Sequence, residues 1–242
     1  MSHRWTAFSL MLGFSLLLVG CSSIQTPSAA SGSSHSTTAS CLSKSPPLAP
    51  VKETVSQTVL NRYHSQQWKV SPAMTLQKSR TYVADVYTTD GAFSIELFSK
   101  IAPIAVNNFI FLAKHHFYDG DSFFRIVKGY MVQTGDPKQN GTGGPGYTWP
   151  DELPPHYAYT QGIVAMANRG PNTNGSQFFI VTAKDAQILD QNPDYTQFGR
   201  VLHGMAVVLK ISEARVTYNP LMGEMSKPVK PIQIVRIAIR SC

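Results

Sequence analysis

Two short apolar runs, Ile163 to Ala167 and Phe178 to Thr182, flank the segment N-R-G-P-N-T-N-G-S-Q. Asn, Gly and Pro at this density cannot continue a strand, so the pattern predicts strand, loop, strand. Asn174-Gly175 predicts a tight reversal before the second run, because both residues tolerate positive φ. Side chains of a strand alternate faces, which puts Gln177, Phe179 and Val181 on one side and Phe178, Ile180 and Thr182 on the other. Alone, an amide beside an aromatic ring reads as a core Phe next to a Gln satisfied by backbone.

The same period recurs upstream in F-F-R-I-V-K-G-Y-M-V-Q-T-G-D, from Phe123 to Asp136. Alternation groups Phe123, Arg125 and Val127, and after Gly129 it groups Met131 and Gln133. Burying a lone Arg in an apolar run is costly, so it ordinarily marks a solvated face or an ion pair. Two strands that each mix apolar and donor groups on one face point instead to a shallow apolar pocket with a few fixed polar groups.

A hairpin is predicted earlier, where Tyr82 to Tyr87 and Ala92 to Phe98 flank Thr88-Thr89-Asp90-Gly91. Within it Phe93, Ile95 and Leu97 alternate against Ser94 and Glu96. Pro103 then suits a first helical turn, and Val106, Phe109, Ile110 and Ala113 recur at helical spacing towards His116. Several short runs separated by Gly- and Asn-rich turns follow, favouring a closed antiparallel sheet over a parallel α/β arrangement.

The first residues have a different pattern. Arg4, an apolar stretch from Ala7 to Val19 and then Leu18-Val19-Gly20-Cys21 predict a signal peptide over 1–20. The run is shorter than the ~18 residues of a membrane span. Its ending matches a bacterial lipoprotein signal, with Cys21 as the lipidated (palmitate-bearing) N-terminus. Residues 21–50 are rich in Ser, Thr, Ala and Pro and are expected to form a flexible tether. Residues 51–79, with Val55, Val59 and Leu60 near helical spacing and Trp68 near Met74, form either a short helix or an arm lying on the domain, which itself covers 80–242.

The net charge of +7 comes from Lys and Arg spread along the chain, with no dense basic run, so nucleic-acid binding has no support. Of three cysteines, Cys41 and Cys242 remain after Cys21, and a bridge between them is open. Adjacent His115-His116 do not face one metal site. Asp119 and Asp121 read as turn residues. The Gly141 to Gly146 run lacks a phosphate-loop ending and reads as a tight loop permitting close peptide approach.

On F-F-R-I-V-K-G-Y-M-V-Q-T-G-D-P, N-G-T-G-G-P-G and G-I-V-A-M-A-N-R-G-P-N-T-N-G-S-Q-F-F-I, the chain resembles the cyclophilins, peptidyl-prolyl cis-trans isomerases, from about Thr81 to Val201 and more loosely to Cys242. The resemblance implies a closed barrel of eight antiparallel strands capped by two helices. It implies that Arg125, Gln133 and Phe179 are catalytic and that Tyr130, Met131, Gly141, Ala167, Asn168, Gln177, Leu189 and Tyr195 bind substrate. It implies proline-containing polypeptide partners, with no cofactor or metal. Together with Cys21 it predicts a monomer lipid-anchored at the extracytoplasmic face of a cell membrane. Phe124, Tyr130, Arg169, Ile188 and Tyr195 depart from common family residues, and Arg169 and Ile188 bear most on substrate preference. A proline-binding chaperone or surface module and a purely structural lipoprotein are the alternatives.

Overall fold

The computed structural model describes residues 42–45, 61, 63–184 and 186–242, with Gln187 described by its backbone only. The signal segment, Cys21, Cys41 and the Val55-Val59-Leu60 pattern lie outside the described residues.

The predicted hairpin is present as β1 (Tyr82–Thr88) and β2 (Gly91–Leu97), paired from Tyr82↔Leu97 to Thr88↔Gly91. Thr88 fixes the turn by donating from Oγ1 to Gly91 O and accepting from Asp90 N. Simple alternation fails at Ser94, which is fully buried. It is satisfied by Asp85 at 2.8 Å, and Arg240 holds the same carboxylate with two hydrogen bonds.

Helix α1 (Pro103–Lys114) begins with its predicted Pro and buries Val106, Phe109, Ile110 and Ala113. Ala102 supplies no side-chain cap, so Glu152 accepts hydrogen bonds from Ile104 N and Ala105 N, both at 2.9 Å. That carboxylate satisfies first-turn donors and faces the positive helix end.

The remaining elements are β3 (Arg125–Val127), β4 (Met131–Thr134), β5 (Ile163–Met166), β6 (Phe178–Val181), α2 (Gln187–Gln191), β7 (Gln197–His203), α3 (Met205–Ser212), β8 (Val216–Asn219), β9 (Glu224–Pro228) and β10 (Ile234–Ser241). Eight strands form one curled antiparallel sheet in the order β10-β1-β2-β7-β5-β6-β4-β3, while β8 and β9 form a separate hairpin. The resemblance implied two helices, whereas three are present among the described residues of 80–242, α2 being a five-residue piece beside the second apolar cluster.

One sheet face, α1 and α3 enclose the main core. Phe109 is its centre, with ring centroids 5.2 to 5.5 Å from Phe198, Tyr118 and Phe178. The opposite face of β4, β5 and β6 carries a second cluster of Met131, Ile163, Ala165, Phe179 and Val181, joined by Leu189. The β6 alternation predicted this division, since Phe178 and Ile180 enter the first cluster and Phe179 and Val181 the second. Phe123 departs from its predicted face, because β3 begins only at Arg125 and Phe123 turns into the main core.

The predicted turn at Asn174-Gly175 is also displaced. Positive φ falls at Gly170 and Asn172, while Asn174 is fully buried in a bridge to Trp149. Its amide donates to Asp151 Oδ1, so the residue clamps two loops together and makes no reversal.

In the described part of 51–79, Asn61, Tyr63 and His64 have helical backbone, and the residues that follow run as an arm along α1. Trp68 packs edge-on to Phe111 at 5.2 Å, and Asn107 of α1 grips the arm through Thr75 N, Thr75 Oγ1 and Ala73 O. Met74 is exposed and Trp68 is spent on α1, so the suggested Trp68–Met74 proximity has no packing role. Among the described residues no helix is long and apolar enough to cross a membrane.

Candidate active site

Strand register assembles the site. Arg125 on β3 lies opposite Gln133 on β4, Gln133 opposite Phe179 on β6, and Phe179 opposite Ala165 on β5. A row of direct cross-strand neighbours points to one face of a sheet, so groups scattered over the sequence meet there.

The polar members form one chain. Arg125 Nη1 donates to Gln133 Oε1 at 3.2 Å, Gln133 Nε2 to Gln177 Oε1 at 3.0 Å, and Gln177 Nε2 to Gly143 O at 2.9 Å. On its other edge Arg125 donates from Nε and Nη2 to the two carboxylate oxygens of Glu224 at 2.6 and 3.1 Å. These bonds from Arg125 hold the Glu224 carboxyl below its ordinary range. Beside this chain lies the apolar cluster. Tyr195 meets Phe179 edge-on at 5.3 Å, and Leu189 is buried. Tyr130 packs against the same cluster, and burial pushes its phenol up.

These groups line an open cavity of about 1150 Å³. All eleven residues singled out for catalysis or substrate binding border it: Arg125, Tyr130, Met131, Gln133, Gly141, Ala167, Asn168, Gln177, Phe179, Leu189 and Tyr195. Asn168 uses its side chain structurally, donating to Asp194 O and accepting from Gly170 N.

The glycine loop has a different basis from the one the sequence suggests. Asp136, fully buried, accepts hydrogen bonds from the backbone N–H groups of Lys138, Asn140 and Gly141 and so winds the loop around its carboxylate. A Cβ at Gly143 would lie 1.9 Å from Asp136 Oδ1, and one at Gly146 would lie 2.7 Å from Trp68 O. Glycine is therefore required there by the protein's own packing, beyond any approach by a peptide.

Sequence reasoning missed several neighbours. Glu224 is 99 positions from Arg125, and no local pattern marks it. Arg169, named for its departure from the family, donates to Gly141 O at 2.7 Å and so latches two loops, a role its departure alone did not indicate. Leu221 and Met222, from the β8–β9 turn, and His64 and Gln67, from the arm, also border the cavity. Trp68 and Leu76, which pack against the main core, are the sequence signals that the arm docks.

His64 has a further contact. Its Nε2 lies 3.1 Å from Asp121 Oδ1, and the wholly buried Asp121 is pushed up to about 7 by desolvation. The close contact with Asp121 raises His64 in turn, and the same Nε2 bonds Asp119 O at 3.1 Å. Asp121 thus does more than shape a turn, while Asp119 bonds His116 Nδ1 at 2.9 Å. Among the described residues no group of three or more His, Cys, Asp or Glu is placed to hold a metal.

The sequence profile of the family described as "Cyclophilin type peptidyl-prolyl cis-trans isomerase/CLD" matches residues 83–239. The chain belongs to the cyclophilin family. It is 41% identical over 165 residues to peptidyl-prolyl cis-trans isomerase cyp15 of Rhizopus delemar, covering 65% of this chain and 24% of that protein. Against isomerase CYP18-1 of Arabidopsis thaliana it is 39% identical over 160 residues, covering 64% of this chain and 94% of the relative. The chain thus spans about a quarter of some cyclophilin relatives and nearly all of others. Among solved structures, a cyclophilin type isomerase of Cryptosporidium parvum superposes with a TM-score of 0.60 at 32% identity, over 66% of this chain and 98% of that one. The same protein, solved in the presence of the dipeptide Ala-Pro, gives 0.59.

Proposed function

We propose that this chain accelerates rotation about X-Pro peptide bonds in folding extracytoplasmic polypeptides. The reading is carried by the register row, in which the Arg125 guanidinium stands beside Gln133 and next to the apolar cavity of Phe179, Met131 and Leu189. Rotation meets a barrier of about 18–20 kcal/mol because it breaks amide resonance. As the bond twists, the prolyl nitrogen recovers its lone pair, and an N–H of Arg125 directed at it stabilises the twisted state more than the planar one. The apolar cluster takes the proline ring, and Gln133, Gln177 and the backbone of Asn168 hold the flanking peptide. No bond is made or broken, and no proton changes owner.

Further parts of the reading concern architecture and place. The sheet is read as closing into a barrel, a reading supported by three bonds of 2.7 to 3.0 Å between the segment before β3 and the start of β10: Gly120 N to Ile234 O, Phe123 N to Ile232 O and Ile234 N to Asp121 O. The molecule is a monomer held to the extracytoplasmic membrane face by a lipid on Cys21. The exposed Tyr218, Leu221 and Met225 on the β8–β9 hairpin favour the second reading, a client-binding module with little turnover.

A protease-coupled isomerisation assay on the soluble domain decides between them. Arg125→Ala is expected to lose at least ~100-fold in kcat/KM while remaining folded. A folded Arg125→Ala variant with near-native turnover overturns the mechanism, and an inactive wild type that still binds proline peptides establishes the module.

A further inference from the structure

Arg125 has one partner that the proposed reaction does not use. Glu224 approaches from β9, and its two oxygens take Nε and Nη2 of the guanidinium. The carboxylate is itself well placed. It follows a tight turn in which Gly223 N and Met222 N donate to Asn219 O and Leu221 N donates to Asn219 Oδ1, with Asn219 buried. Glu224 pairs directly with Asn219 across the hairpin.

A guanidinium has five N–H donors in a rigid plane. Glu224 occupies the Nε edge and Gln133 accepts one donor of Nη1. One N–H on each terminal nitrogen is left for a substrate. Two planar bonds on one edge and one on the other also fix the rotation of the plane, which neither partner does alone.

Resting on the isomerase reading, we propose that Glu224 is a positioning residue for Arg125, holding the guanidinium plane so that its remaining donors meet the prolyl nitrogen. Two effects compete. The carboxylate orients the plane and also offsets part of its positive charge. Arg125 and Glu224 side chains are 27% and 30% exposed, so solvent screens the charge effect. Misplacement of a reacting group by about 1 Å costs about 100-fold, so orientation dominates.

The test uses Glu224→Ala, Glu224→Gln and Glu224→Asp in the full mature chain, with kcat and KM measured separately. Glu224→Ala is expected to lower kcat about tenfold and leave KM within about twofold. Glu224→Gln, which keeps the length and one acceptor, is expected to fall between Glu224→Ala and wild type, and Glu224→Asp to recover part of the loss. A kcat at or above wild type in both Glu224→Ala and Glu224→Gln overturns the proposal in favour of charge compensation. A second readout is independent of turnover. In 15N-correlated NMR the Arg125 Nε–H signal is expected to be protected from solvent exchange in wild type and exchange-broadened in Glu224→Ala. An unchanged signal overturns the positioning role even if the wild type proves inactive, whereas wild-type inactivity with a protected signal faults only the isomerase reading.

Discussion

At the residue scale the glycine loop shows how little room the site leaves. Gly143 passes its carbonyl to Gln177 and hence to Arg125, yet its Cα faces the Asp136 carboxylate. Gly143→Ala would put a methyl group 1.9 Å from that oxygen and 3.1 Å from Lys138 N. Because backbone as well as a side chain is in the way, the loop must shift, costing about 1–3 kcal/mol. Activity is expected to fall about tenfold in kcat/KM. Gly144→Ala is the control, since nothing lies within 4 Å of its added Cβ. Equal thermal midpoints and equal activities for the two variants would show that the loop yields freely. The run N-G-T-G-G-P-G made a tight loop legible in the sequence, but not which glycine was indispensable. That depends on Asp136 and Trp68, one inside the loop's own turn and the other from a distant arm.

At the scale of elements, the arm is joined to the domain by a titrating pair. Asp121 on the segment before β3 and His64 on the arm both bind protons more tightly folded than unfolded. Their contribution is fully present below the unfolded values, 3.8 for Asp121 and 6.5 for His64, and is lost as pH rises through the folded ones, near 7 for Asp121. Asp136 and Asp119 act on the pair in the same field. The unfolded chain therefore holds fewer protons at neutral pH, and stability falls with rising pH. Urea denaturation between pH 6 and 8.5 is expected to show a loss of about 1–2 kcal/mol, which Asp121→Asn flattens. A wild-type midpoint that rises over this range would contradict the assignment. The elements themselves were largely legible, because β1, β2, α1, β5 and β6 follow local periods and turn residues. Neither β8 nor β9 was, since E-M-S-K-P has no apolar alternation and among the described residues pairs only with the neighbouring β8.

At the scale of the whole molecule, both ends of the described chain return to the sheet. Leu42 O contacts His203 Nε2 at 2.7 Å, Lys44 O accepts from Arg240 at 3.0 Å, and Cys242 is disulfide-bonded, its sequence-suggested partner Cys41 lying outside the described residues. The cavity takes its lining from His64 onward, so anchorage and activity are expected to separate. Cys21→Ser should release the protein from the membrane fraction or leave it uncleaved, with kcat/KM of the domain within about twofold of wild type. A cleaved variant still retained in the membrane counts against the lipid anchor. The row Arg125, Gln133, Phe179 and Ala165 has a consequence for quality control. Slipping β4 against β6 by one residue would turn Val132 into the groove and Met131 and Gln133 into the core, while β6, held by β5, kept Phe179 in the groove. No misregistered molecule can then keep either a sound interior or a working groove, and turnover per milligram becomes a direct census of correctly threaded chains.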